Sequence, residues 1–342
     1  KVPSVDLHIV DESHSAQNQF GKMFMNLRKV RSKYKLAMSG TPQGSRFEGI
    51  WAPTKWLWPD LVDGSKIRWI AEWCDTEEVV IGKDEDTADG LKRVTKITGE
   101  RKPGAYMASL PCVVRLEAVR VPYQLFEVRV DLPAEQRAMW DEMAATSIAW
   151  LADRPTVAKL PIEQRIRLRQ MALGAVSFDA EGELNFAPDC ISVKLDKALK
   201  IQDRHPGEAI LFVTDSARFA TVAAPRLGAR LLKGGMRKAE KDFLIDNLGV
   251  EYQYLVATYG AVAEGCDGLQ AKCHVEVLFN IADSPVMNEQ FNGRLNRTGQ
   301  TSDLITRYTL VARDTMDDDH FDRAVANMEA RRNELDTHTL TL

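Results

Sequence analysis

Apolar residues follow two rhythms along this chain, and the switches between them outline its elements. The run Val5-Asp6-Leu7-His8-Ile9-Val10 reads as a strand that stops at the acidic turn Asp11-Glu12-Ser13-His14. A helix is expected over 16–30, a strand over 34–38, a Ser39-Gly40-Thr41-Pro42 turn, and a helix over 46–58. Residues 82–104 are charged, contain glycine and lack periodicity, so they read as an exposed mobile loop. Alternation over 119–132 predicts a strand, and Pro133-Ala134-Glu135-Gln136 opens a helix with proline at its first turn. Helices follow over 134–151 and 161–174, the second carrying Arg165, Arg167 and Arg169. From about 192 the alternation resumes: helix 193–204, strand 209–214, helix 215–227, strands 253–258, 275–280 and 305–311, and a polar terminal helix over 317–335.

Strands alternating with helices imply α/β lobes with mostly parallel sheets, whose ligands sit at the carboxyl ends of the strands. The expected division is the second half of one lobe over 1–118, a linker strand and helical protrusion over 119–191, and a second lobe over 192–342. No repeat period relates the lobes.

Composition narrows the class. With 44% hydrophobic and 27% charged residues in 342, the chain reads as a soluble globular protein of two domains. No apolar run approaches a membrane span, and Lys1-Val2-Pro3 leads straight into a strand without a signal peptide, so the start looks like a cut. Five scattered cysteines without a C-x-x-C pair argue against a disulfide framework or zinc site and for a reducing, intracellular setting. Cys266, Cys273 and His274 flank an apolar strand and read as core.

The net charge of −4 leaves room for a local basic track on a nucleic acid. Arg226, Arg230, Lys233, Arg237, Lys238 and Lys241 form one cluster; Arg28, Lys29, Arg31, Lys33 and Lys35 form another, which is either such a track or a solvated face.

The order of short motifs carries most of the chemistry. Two adjacent carboxylates after a strand, Asp11 and Glu12, suit a metal-bound nucleotide and its attacking water. Ser39-Gly40-Thr41-Pro42 begins 28 residues after Asp11 (39 − 11), Gly265-Cys266-Asp267-Gly268 comes later, and Gln290-Phe291-Asn292-Gly293-Arg294-Leu295-Asn296-Arg297-Thr298-Gly299-Gln300 closes the series. Spacings of three and four residues place Gln290, Arg294 and Arg297 on one helical face.

In that order the motifs resemble a superfamily 2 helicase-type ATPase with a DEAH box, and within it the Swi/Snf-like double-stranded DNA translocases. The resemblance runs from residue 5 to about 313. It includes Thr41-Pro42-Gln43, Ile50-Trp51, Trp56-Leu57-Trp58-Pro59-Asp60-Leu61, Leu168-Arg169-Gln170-Met171 and Phe212-Val213-Thr214-Asp215-Ser216.

It implies two RecA-like lobes, the first represented by its C-terminal half, joined by a helical insert and using ATP and Mg²⁺ on duplex DNA. Asp11 is then the metal residue, through a water. Glu12 activates the attacking water. His14 senses the γ-phosphate or, alternatively, caps or packs the helix start. Ser39, Gly40 and Thr41 couple the lobes; Gly265 and Asp267 meet the nucleotide; Arg294 meets its phosphates; Arg297 is the arginine finger. Gly235, Arg237, Lys238 and Thr258 fall where the family contacts the DNA backbone.

The G-x-x-x-x-G-K-[ST] phosphate loop is nowhere in the sequence. An N-terminal segment of roughly a hundred residues is therefore expected in the gene product. Two alternatives stay open: a non-catalytic DNA-binding or regulatory fragment, and the motor of a restriction or phage replication system. Bacterial or phage-infected cytoplasm is the expected setting.

Overall fold

A computed structural model describes residues 4–40, 42, 46–62, 65–83, 91–114, 121–151, 154–263, 266–323 and 325. The chain divides into two compact units, with the boundary between Leu116 and Glu117. Among the described residues no helix is long and apolar enough to cross a membrane.

In the first unit, β1 (Ser4–Val10) runs parallel to β2 (Arg31–Ala37), with Leu7 opposite Tyr34 and Ile9 opposite Leu36. The expected helix over 16–30 is instead a 3₁₀ turn at Ser13–Ala16 followed by α1 (Lys22–Leu27). Asn18-Gln19-Phe20-Gly21 interrupts it: the Gly21 amide donates to the Asn18 carbonyl at 2.9 Å, a turn these residue types favour.

Helices α2 (Trp51–Leu57) and α3 (Lys66–Trp73) then build an aromatic core. Phe47 stacks on Trp69 at 5.4 Å, and Tyr106 meets Trp69 edge-on at 5.1 Å while its hydroxyl bonds Thr54 at 2.8 Å. The pairing of aromatic faces and edges adds to the area buried.

Residues 82–104, expected as a mobile loop, contain ordered structure. β3 (Cys74–Lys83) pairs antiparallel with β4 (Leu91–Glu100), and α4 (Ala105–Ser109) follows. Most of the hairpin is exposed on both faces, so its sequence shows no apolar alternation to betray it. Residues 84–90 lie outside the described residues.

The second unit opens with β5 (Tyr123–Val130) and α5 (Ala134–Thr146). A β6–β7 hairpin (Ile148–Leu151 and Arg154–Val157) follows where the α5 helix was expected to continue. Ser147, in the left-handed conformation at φ 60°, ends that helix.

Next come α6 (Pro161–Leu173), a small β8–β9 pair (Ser177–Phe178 and Leu184–Asn185) and α7 (Val193–Gln202). The remaining elements alternate: β10 (Ile210–Thr214), α8 (Ala217–Arg226), β11 (Arg230–Leu232), α9 (Lys238–Asn247), β12 (Tyr254–Thr258), α10 (Tyr259–Ala263), β13 (Val275–Leu278), α11 (Pro285–Leu295) and β14 (Ile305–Ala312).

The strands form one sheet in the order β11-β12-β10-β13-β14-β5, every pairing parallel. The linker strand is thus part of the second unit's sheet. Alternate side chains of β10 enter two separate cores: Ile210 and Phe212 face one, Leu211 and Val213 the other. Burial on both faces is what a continuous apolar strand encodes. The terminal helix begins at 316, and its expected continuation beyond 325 lies outside the described residues.

Candidate functional site

The first unit brings its motif residues together at the carboxyl ends of β1 and β2. Met38 donates its amide to the Val10 carbonyl at 2.8 Å, and Ser13 donates to the Met38 carbonyl at 2.9 Å, so the ladder continues into both turns. Glu12 adopts the left-handed conformation (φ 48°, ψ 47°), which costs a residue with a Cβ about 1–2 kcal/mol. Its amide donates to Asp11 Oδ1 at 2.8 Å. His14, nearly buried, sets Nδ1 3.2 Å from Glu12 Oε2 and 3.0 Å from Ser39 Oγ. Asp11, Glu12, His14 and Ser39 therefore form one polar constellation; Gly40 follows Ser39 with room for a side chain among the described residues, and Thr41 lies outside them.

A hard divalent cation takes carboxylate and water oxygens. Asp11 fits this demand: its side chain is exposed, and only one of its oxygens is engaged among the described residues.

Lys35 belongs to the basic run 28–35 but turns inward. Its ammonium donates to the Trp56 carbonyl at 2.6 Å and lies 5.4 Å from the Trp56 ring, and burial lowers its pKa.

In the second unit, α11 is capped by Ser284, whose hydroxyl accepts the Met287 amide at 3.3 Å, and it starts with Pro285. The helix ends at Leu295, so Gln290 and Arg294 share it but Arg297 does not. Arg297 lies in the following turn, where its carbonyl accepts the Gln300 amide at 3.1 Å and Gly299 takes φ 95°. This corrects the expected single helical face.

The two arginines still reach one loop. Arg294 donates to the Cys266 carbonyl at 3.2 Å and to the Ala263 carbonyl, while Arg297 Nη1 is 3.2 Å from Asp267 Oδ1. The Gly268 amide donates to that same oxygen at 3.0 Å. Cys266 itself is buried, its thiol donating to the Ala261 carbonyl at 2.9 Å, and burial raises its pKa. Gly265 lies outside the described residues.

The lead into α9 presents Gly235 at φ 82° and the exposed side chain of Arg237, and the helix opens with the exposed Lys238. Glu240 accepts the Arg237 amide at 2.8 Å and pairs with its guanidinium at 3.1 Å; the amide bond leads in holding its carboxyl below the usual range. Thr258, at the carboxyl end of β12, is buried.

Two networks escaped the sequence. Arg169 of the Leu168-Arg169-Gln170 signature pairs with Asp215 and Asp283 and donates to the Ile281 carbonyl at 2.9 Å. Arg165 joins Asp283 at 3.0 Å, and His320 does so at 3.1 Å. Burial opposes the Asp283 charge, yet Arg169, His320 and Arg165 together hold its carboxyl below the ordinary value.

The second network joins α11 to the strands beside it. Arg307, buried and paired with Glu276, donates to Asn292 Oδ1 at 2.7 Å and lies 4.6 Å from the Tyr123 ring. Asn296 brackets the backbone of Val121, accepting its amide at 2.9 Å and donating to its carbonyl at 2.8 Å. A polar residue inside a strand, Glu276 or Arg307, is the one sequence signal that such a network leaves.

No family model matches the chain, and no curated protein matches it. Among solved structures, it is similar to the C-terminal part of the Fun30 ATPase domain, at 14% identity over 58% of this chain and 88% of that one, with a TM-score of 0.44. It is also similar to the Sulfolobus solfataricus SWI2/SNF2 ATPase core in complex with double-stranded DNA, at 17% identity over 94% and 67%, with a TM-score of 0.43. Both structural neighbours are ATPase domains or cores. Likeness of this degree leaves the chemistry to the geometry of the residues.

Proposed function

We propose that the chain is part of an ATP-hydrolysing motor that moves along double-stranded DNA without separating its strands. The observation that carries the reading is His14, whose ring links the acidic turn after β1 to Ser39 in the turn after β2. A phosphate-dependent shift at one turn is thereby passed to the other.

Asp11 would hold the Mg²⁺, and Glu12 would orient the attacking water and take its proton. The metal, when bound, neutralises charge on the phosphate oxygens. Gly265 and Asp267 are assigned to the nucleotide, Gln290 and Arg294 to its phosphates, and Arg297 to the finger charge. Ser39, Gly40 and Thr41 are assigned to coupling between the lobes. Gly235, Arg237 and Lys238 follow the DNA backbone, where contacts position the protein without reading sequence, whereas Thr258, expected beside them, is buried.

One face of the β1–β2 pair leaves Val5, Leu7, Ile9, Tyr34 and Leu36 exposed. That face supports the view that further strands and helices of the same protein cover it and bring the phosphate loop.

The test is ATP hydrolysis by the complete gene product with duplex DNA, single-stranded DNA and none. Duplex is expected to stimulate most, and Glu12→Gln to abolish turnover while sparing ATP binding. A rate indifferent to every form of DNA sinks the proposal.

A further inference from the structure

The chain passes from the first unit to the second between Leu116 and Glu117, and the first described residues after that crossing are Val121 and Pro122. Their attachment is specific. Asn296 meets the Val121 backbone with both arms of its amide, accepting at 2.9 Å and donating at 2.8 Å, as a neighbouring strand does in a ladder. Ile305 donates its amide to the Pro122 carbonyl at 3.0 Å, and the Tyr123 hydroxyl donates to the Asn292 carbonyl at 3.3 Å. Arg307 completes the junction, since its guanidinium donates to Asn292 Oδ1 at 2.7 Å while covering the rings of Tyr123 and Phe291.

Asn296 is the residue just before Arg297 and the C-cap of α11. Its backbone conformation (φ −91°, ψ 77°) is the one at which the chain leaves the helix and turns Arg297 toward Asp267. The same residue therefore fixes two things: where Val121 sits as the chain enters the second unit's sheet, and where the helix carrying Arg294 gives way to the turn carrying Arg297. A pull on Val121 reaches Arg297 through one side chain and one peptide link.

We propose that Asn296 is a positioning residue, a latch that makes the placement of Arg294 and Arg297 follow the segment connecting the two units. This inference rests on the reading of the chain as a DNA-stimulated ATPase, with Arg297 as its finger. Asn296 touches no reacting group in this scheme. Its action is to keep a guanidinium in register, and misplacement by about 1 Å costs on the order of a hundredfold in rate.

The test uses the complete gene product. Asn296→Ala removes both arms of the latch from the helix side. Val121→Pro removes the donated amide from the connector side and leaves α11 untouched. Both are expected to lower the ratio of DNA-stimulated to unstimulated turnover on the order of tenfold, with KM for ATP and the unfolding temperature near wild type. The double variant is expected to be no worse than either single one, because both cut the same link.

A ratio within about twofold of wild type in Asn296→Ala, or losses that add in the double variant, overturns the latch. A lower unfolding temperature with the ratio preserved makes Asn296 structural only and also overturns it.

Hydrogen exchange separates this inference from the reading beneath it. Asn296→Ala should speed amide exchange over 121–125 while the centre of the sheet stays protected, whether or not the protein hydrolyses ATP. Unchanged exchange there overturns the latch, whereas a wild type without ATPase activity overturns the motor reading alone.

Discussion

Arg297 and Asp267 face each other at 3.2 Å with side chains 39% and 78% exposed, and such a pair contributes at most about 1 kcal/mol. In the proposed motor a nucleotide phosphate, carrying more charge than one carboxylate, would take the guanidinium away at little cost. Replacing Arg297 with alanine is expected to lower the single-turnover hydrolysis rate by about 10³ to 10⁵, the range for lost arginine fingers. Asp267→Asn frees Arg297 and keeps an amide oxygen that can still accept from the nucleotide, so its rate is expected to stay within about fivefold of wild type. An Asp267→Asn loss as deep as that of Arg297→Ala would instead make the charge of Asp267 itself essential. Legibility at this scale follows separation along the chain. Asp11, Glu12 and His14 announce themselves within four residues, and Gln290, Arg294 and Arg297 within eight. Asn296 could not be read because its partner Val121 lies 175 residues away and is backbone, which carries no sequence signature.

Elements were legible where burial imposed a period. Strand β10 is buried throughout, and its run Ile210-Leu211-Phe212-Val213-Thr214 could only be a central strand. The hairpin β3–β4 was missed because exposure on both faces erases the alternation, and α1 was overextended because Asn18 and Gly21 break a pattern that looks helical in composition. The Arg169 network is a meeting of elements: α6 supplies Arg165 and Arg169, the end of β10 Asp215, the lead into α11 Asp283, and the terminal helix His320. His320 Nε2 lies 3.1 Å from Asp283 Oδ1 and 3.3 Å from Arg165, and Nδ1 lies 3.4 Å from an Arg169 nitrogen. This geometry suits a neutral ring whose Nε2–H donates to Asp283 and whose Nδ1 accepts from Arg169. Burial first, then Arg169, holds the imidazole below its ordinary value of 6.5; Asp283 opposes them, and Arg323 and Arg165 add to the lowering. A histidine with a depressed folded pKa stays neutral while the unfolded chain takes up a proton, so stability falls as pH drops below 6.5 and levels off once the folded protein also protonates. Urea titrations between pH 7.5 and 5.5 should show that decline in the wild type and a smaller one in His320→Gln. An equal decline in both would remove His320 as its source.

The two units differ in how completely each buries its own sheet. In the second, the β10–β14 strands send alternate side chains into two cores, one with Phe212, Phe219 and Phe279, the other with Leu211, Leu255 and Phe291, so both faces are covered from within residues 117–332. The first unit covers one face with Trp51, Trp56 and the rest of its aromatic core. The other face of β1–β2 leaves Val5, Leu7 and Ile9 at 40%, 50% and 51% exposure, with Tyr34 and Leu36 beside them. Two strands alone are marginal in water, and an apolar face of this kind is a site for association. A protein comprising residues 121–325 is therefore expected to unfold in one cooperative urea transition and to keep the amides of β10, β12 and β13 protected from exchange. Residues 4–114 alone should bind a hydrophobic dye, self-associate and lack protected amides in β1 and β2. Substituting Leu7 and Ile9 with threonine keeps strand propensity while removing apolar surface, and is expected to reduce dye binding and association without restoring a sharp transition. If residues 4–114 instead unfold cooperatively as a monomer, the aromatic core suffices for that unit and the exposed face needs no cover.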